Sequence, residues 1–159
     1  MQTNKQIIEQ FLTTLANEVK QKAIAADMVA TGKTIESIEV VMADDGGKII
    51  AAKYIGVLED GRRPTRSGAP KGNPTLRENI EAWITARNIT PKDNMKVKTL
   101  AFLIARKIHR EGNALYRAGG KSGILSTTFT QARIDAFAEV FSEKYQSVIS
   151  SEVLIQYKK

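Results

Sequence analysis

The stretch 28-MVATGKTIESIEV-40 decides between two folds. Read as the end of a phosphate-binding loop, Gly32, Lys33 and Thr34 would follow a buried strand and open a helix of a nucleotide-binding α/β domain. That loop needs G-x-x-x-x-G-K-[ST], because its glycines let backbone N–H groups wrap the phosphates. The leading glycine position here holds Asp27. A carboxylate there faces the phosphate and repels it, and Met28, Val29 and Ala30 lack the backbone freedom of a tight cradle. The preceding residues also have the wrong period for a strand. Ile8, Phe11, Leu12, Leu15, Val19, Ala23 and Ala26 recur at steps of three and four, which predicts an amphipathic helix over residues 3–29. Gly32 then reads as the left-handed exit of that helix, and Thr34 to Ser37 steer the chain onward.

Downstream, Ile38, Val40 and Met42 alternate, "ADDGGK" turns the chain, and Ile49 to Ala52 form a return strand, so a β-hairpin is expected. "KYIGVLEDGRRPTRSGAPKGNP" has no period and reads as a long loop. Over residues 61–73 it carries Arg62, Arg63, Arg66 and Lys71 with no acidic residue. A second helix is expected over 74–88, with Pro74 near its first turn. "VKTLAFLIARKIHREG" predicts a third, closed by Gly112 and central in the core because its first half is apolar nearly all round. "NALYRAGGKSG" reads as another Gly-rich basic loop. Ile134, Phe137, Ala138, Phe141, Tyr145 and Val148 mark a fourth helix, and Val153, Ile155 and Tyr157 alternate as a last strand that returns to the sheet. The sum is an α+β fold: one domain over 1–159, helices on a small antiparallel sheet, and loop 61–73 protruding.

The charge is unevenly placed. The 159-residue chain has a net charge of +7, yet residues 61–123 hold 14 Lys and Arg against 4 Asp and Glu, so this segment carries +10 and the remainder −3. Such a segment suits nucleic acid or an acidic protein surface, and the plainer reading is a solvated basic face. Zero cysteines exclude disulfides, thiolate catalysis and Cys-based zinc, and one histidine leaves little for a metal site. No apolar run approaches membrane-spanning length, and "MQTNKQ" is no secretory pattern, so cytoplasmic synthesis is expected.

No catalytic set assembles. His109 reads as a surface histidine without a positioned partner. Glu59 and Asp60 precede a glycine turn, where they are expected to serve turn chemistry or pair with the arginines that follow rather than hold a metal. Ser122, Ser126, Thr127 and Thr128 offer hydroxyls with no activating base. The chain is expected to be no enzyme and to use neither cofactor nor metal.

The order of these features resembles the tail-component proteins of tailed bacteriophages, the head–tail connector or tail-completion proteins of the neck. In that family a T-G-x-L-x-x-S-I turn and a Y-x-x-x-x-E-x-G-x-x-P segment are typical. Thr31, Gly32, Ser37 and Ile38 fit the first, with Ile35 one residue later than the usual Leu; Tyr54, Glu59, Gly61 and Pro64 fit the second. The pairing of "DGRRPT" with "LAFLIARKIHREG" is most similar to versions from phages of gut Bacteroidetes, and the likeness spans residues 1–145. It implies a virion component made in the bacterial host cytoplasm and assembled as a homo-oligomeric ring between the portal or adaptor protein and the tail proteins. Genome DNA would pass through that ring during ejection. Arg62, Arg63, Arg66 and Lys71 would lie at a subunit interface or face the DNA channel. The alternative is a non-specific nucleic-acid-binding module, built on the same basic segment.

Overall fold

The computed structural model of the chain describes residues 3–29, 31–44 and 46–156. A capping box opens α1 (Asn4–Ala25): the Thr3 hydroxyl accepts from the Gln6 N–H, and the Gln6 side chain accepts from the Thr3 N–H. One stripe of α1, comprising Leu15, Ala16, Val19 and Ala23, is buried. It lies against an antiparallel hairpin of β1 (Glu39–Ala43) and β2 (Gly46–Ile50), in which Val40 pairs with Ile49 and Ala43 with Gly46. Val40 and Ile49 face α1 because side chains alternate across a strand, and they join Ile38, Ile35 and Ile124 in the first core cluster.

The helix stops earlier than the periodicity suggested, and Gly32 is not what stops it. The Asp27 N–H donates to the Ile24 carbonyl and the Met28 N–H to the Ala23 carbonyl, both at 3.0 Å, with Asp27 itself left-handed at φ 56. This is a Schellman end with Asp in the place usually taken by Gly, a position whose strain short polar side chains tolerate best. Arg87 holds the turn from outside, its Nη1 at 2.5 Å from Asp27 Oδ2 and its Nη2 at 3.2 Å from the Val29 carbonyl. Gly32, at φ 78, caps the short α2 (Lys33–Glu36) instead. The Ser37 hydroxyl donates to the Thr34 carbonyl at 2.7 Å and accepts from the Ala52 N–H at 2.9 Å, tying this turn to the exit of β2.

Residues read as loop contain two short helices. In α3 (Ile55–Asp60), Ile55 and Leu58 stand one turn apart and pack on the first cluster; in α6 (Ala114–Arg117), the Asn113 side chain caps the Tyr116 N–H. Between them, α4 (Leu76–Ala86) starts from a Thr75/Glu78 capping box, with Pro74 just outside it, and α5 (Val97–Glu111) ends at Gly112, whose φ is 80. This pair has its own cluster of Ile80, Ile84, Ala101 and Ala105, in which the two alanines let the helices approach closely. The expectation that α5 is central fails: Phe102 is 51% and Leu103 44% exposed, because α4 covers one side of α5 only.

The last expectation also changes. Residues 153–156 belong to α7 (Gln131–Gln156), so the sheet has two strands among the described residues; Tyr157 lies outside them. No Gly or Pro interrupts 131–156, so the helical hydrogen-bond ladder runs through an alternating pattern too short to compete with it. α7 packs antiparallel on α1, with Phe137 stacked on Phe11 at 4.1 Å and Arg133 at 2.5 Å from Glu18.

Ile84 is 1% exposed at the centre of the α4–α5 cluster. Ile84→Ala is expected to cost about 2–5 kcal/mol in urea unfolding. A loss below about 1 kcal/mol would contradict this packing.

Candidate functional site

The last turn of α3 aims Glu59 at the chain 63 to 67 residues further on. Its Oε2 accepts from the Leu125 N–H at 2.8 Å and Ser122 Oγ at 3.3 Å; its Oε1 accepts from Ser126 Oγ at 2.6 Å and the Gly123 N–H at 3.3 Å. The Ser122 N–H donates to the Glu59 carbonyl at 2.9 Å. The expected pairing of Glu59 or Asp60 with the following arginines is absent among the described residues. Hydroxyls and amides 60 residues away outcompete them because they sit in a turn that converges on one carboxylate. Burial pushes the Glu59 carboxyl up, but the bonds from Ser126, Leu125, Ser122 and Gly123 outweigh it and hold the group below the usual carboxylate range. The other two hydroxyls belong to α1: Thr127 and Thr128 accept from Lys22 Nζ at 2.6 and 2.9 Å.

Loop 61–73 begins stitched and ends open. The Arg62 N–H donates to Asn113 Oδ1 at 3.0 Å, and the Asn113 N–H returns a bond to the Arg62 carbonyl at 2.9 Å. Past Pro64, the Thr65 N–H donates to the His109 carbonyl at 2.9 Å, and Thr65 Oγ1 lies 2.6 Å from His109 Nδ1. The surface histidine therefore has a partner, and it serves to position the loop. Gly61 is buried at φ 75 against this corner; a Cβ there would lie 2.6 Å from Asn113 Oδ1 and closer still to the Tyr116 N–H. Residues 66–73 are exposed.

The four cations of the loop face two ways. Arg63 and Arg66 are exposed and border a shallow depression with Lys53. Lys71 lines a cleft of about 770 Å³ between the loop, α2 and the start of α4, where Lys33, Arg77 and His109 join it. Arg62 lines both hollows, and its Nη1 is buried with no hydrogen-bond partner. Glu78 also lines the cleft, but its carboxylate is taken by the Thr75 N–H at 2.7 Å and the Thr75 hydroxyl at 2.8 Å. Glu78 stays ionised, but Lys33, Arg62, Lys71 and Arg77 outnumber it, Arg77 being paired with Glu81 at 3.4 Å, so the hollow is net positive and suited to a phosphate or carboxylate.

Thr31 and Tyr54 line this cleft as well, so the two sequence segments singled out above meet there, while Ser37 and Glu59 hold their bases from behind. Lys33, Arg77 and Asn113 were not foreseen as site residues. Asn113 had a local signal, an N-cap residue directly after a helix-ending glycine; Lys33 and Arg77 reach the cleft only through tertiary packing. Among the described residues, no group of three or more His, Cys, Asp and Glu is placed to hold a metal, and no helix is long and apolar enough to cross a membrane. Compared with protein-family models, curated proteins and solved structures, the chain matches none.

Two substitutions probe this frame. Gly61→Ala meets both a positive φ and a backbone clash, and is expected to destabilise by about 2 kcal/mol or more in thermal or urea unfolding; a neutral effect would mean the loop is not pressed on Asn113. Because the folded Glu59 carboxyl titrates below the unfolded one, its bonds stabilise fully above about pH 4.3 and are lost as the pH falls through the folded value. Glu59→Gln is therefore expected to cost about 1–3 kcal/mol at pH 7 and much less at pH 3. Equal losses at the two pH values would remove the carboxylate from this role.

Proposed function

We propose that the chain is a structural subunit of the neck or upper tail of a tailed bacteriophage, assembled as a ring that joins the portal side to the tail around the DNA channel. The observation that carries this is an ordered basic loop with its base stitched to α5 and its cations turned outward on an acidic scaffold. The motif resemblance supplies the setting. A loop fixed at residues 62–65 presents Arg63, Arg66 and Lys71 with little ordering cost, which suits repeated contact with a neighbouring subunit or with passing DNA phosphates. The role is assembly rather than catalysis.

The second reading is a non-specific nucleic-acid-binding module. The cleft favours it, because Lys33, Arg62, Lys71 and Arg77 surround one hollow. The two readings part on location and on salt. Cryo-electron microscopy of whole virions is expected to show this chain as a closed ring at the portal-to-tail junction; its absence from the particle would sink the connector reading. For the alternative, DNA affinity of the isolated chain should fall steeply with salt, and Arg63→Ala with Arg66→Ala should reduce the slope by about 2. Salt-insensitive binding would reject it.

A further inference from the structure

We propose that a second copy of this chain seats the outward face of its α7 on the outward face of α5, forming a head-to-tail contact between subunits. The proposal deepens the ring reading and rests on it for the identity of the occupant; its evidence is the complementarity of two faces within one chain.

The outward face of α5 is Thr99, Phe102, Leu103, Arg106 and Arg110, all exposed and spaced i, i+3, i+4, i+7 and i+11. Its upper half carries Phe102 and Leu103 beside the single hydroxyl of Thr99; its lower half is cationic, with Lys107 alongside. Arg110 pairs with Glu111, whose charge Lys107 also feels from one turn away, while Arg106 makes no salt bridge among the described residues. Beside this stripe runs a groove of about 460 Å³ lined by Arg77, Phe102, Arg106 and Arg110. Phe102 and Leu103 side by side on a helix surface, ringed by cations, form the kind of patch that marks an interaction site.

The matching face lies on α7. Phe137 and Phe141 point to the α1 side, so Ala132, Asp135, Ala136, Glu139, Val140 and Glu143 point away from it, and all six are exposed. Apart from Val140 at i+8, they follow the same spacing. Asp135 accepts the Gln131 amide at 2.8 Å, which leaves Glu139 and Glu143 turned to solvent. In a parallel docking with Arg106 and Arg110 opposite Glu139 and Glu143, Leu103 falls on Ala136 and Thr99 on Ala132, whose small side chains permit close approach, while Phe102 is level with Asp135, whose carboxylate already takes the Gln131 amide. Bulk meets small, and positive meets negative, in one register.

The two faces are different patches, so a subunit that gives its α5 to one neighbour and its α7 to another makes a heterologous contact, which closes into a ring or continues as a filament. Nucleic acid is the weaker occupant for α5, because half of that face offers a phosphate no cation.

The absence of native cysteine makes the test direct. Leu103→Cys and Ala136→Cys are prepared as separate full-length proteins and oxidised alone and mixed at high concentration. A disulfide-linked dimer is expected in the mixture only, since bridging needs the two Cα atoms within about 7 Å. No mixed dimer, or a dimer of Leu103→Cys with itself, overturns the proposal. Charge reversal gives a second measurement: Arg106→Glu or Glu139→Arg alone should weaken self-association, followed by light scattering, about tenfold or more, and the double variant should recover it. If Arg106→Glu abolishes DNA binding while self-association is untouched, α5 is a nucleic-acid face and the proposal fails. Oligomers or virion rings that persist without the mixed disulfide reject this interface and leave the ring reading standing.

Discussion

One carboxylate closes the longest excursion of the chain. Past Asp60 the backbone leaves the α1–hairpin scaffold, builds the basic loop, α4, α5 and α6, and returns at Ser122, where Glu59 collects two hydroxyls and two amides. Without that junction, Ile124 and Thr128 would not be delivered to the first core, where they are 2% and 0% exposed. A charged acceptor suits the task, because bonds to a carboxylate are stronger than those to a neutral oxygen and four donors spread the cost of partly burying it. The +10 segment found in the sequence is this excursion. Its boundaries are set by the clamp, so charge segregation and architecture coincide.

Gathering cations in one excursion carries a cost in mutual repulsion, and local pairing relieves part of it. Glu111 takes Arg110 and also Arg117 at 3.0 Å, and Arg87 leaves the excursion altogether to hold the Asp27 turn. Arg77 at the cleft pairs with Glu81 at 3.4 Å, while the cations of loop 61–73 and Arg106 on the outward face of α5 make no salt bridge among the described residues. Arg87 also explains how Asp27 can end a helix: the carboxylate that rules out a phosphate loop in the sequence is, in the fold, a ligand for a guanidinium 60 residues away.

What could be read from the sequence follows the range of the interactions involved. The hairpin, α4 and the end of α5 were legible because alternation, Pro74 beside the first turn and Gly112 act within a few residues, while the Thr75 cap that starts α4 went unread. The Asp27 stop was missed because glycine is the usual signal and stood five residues further on. The alternation at 153–157 misled because pattern alone says nothing about a helix already propagating from Gln131. At the candidate site the loop cations were visible from composition, but their division between two hollows depends on the Arg62–Asn113 and Thr65–His109 stitches, which are long-range. The role of Glu59 was hidden for the same reason.

The cleft and the α5 face are neighbours, and this links the two proposed uses of the surface. Arg77 and His109 line both hollows, and His109 also holds Thr65, from which the exposed part of the loop departs. A helix seated on α5 would therefore press on the same two side chains that border the cleft. An anion bound beside Arg62, where a buried guanidinium nitrogen has no partner, would act on them from the other side. If either ligand changes the other's affinity through these shared walls, the change is equal in both directions. Any coupling between the two would run through Arg77 and His109, the side chains the two hollows share.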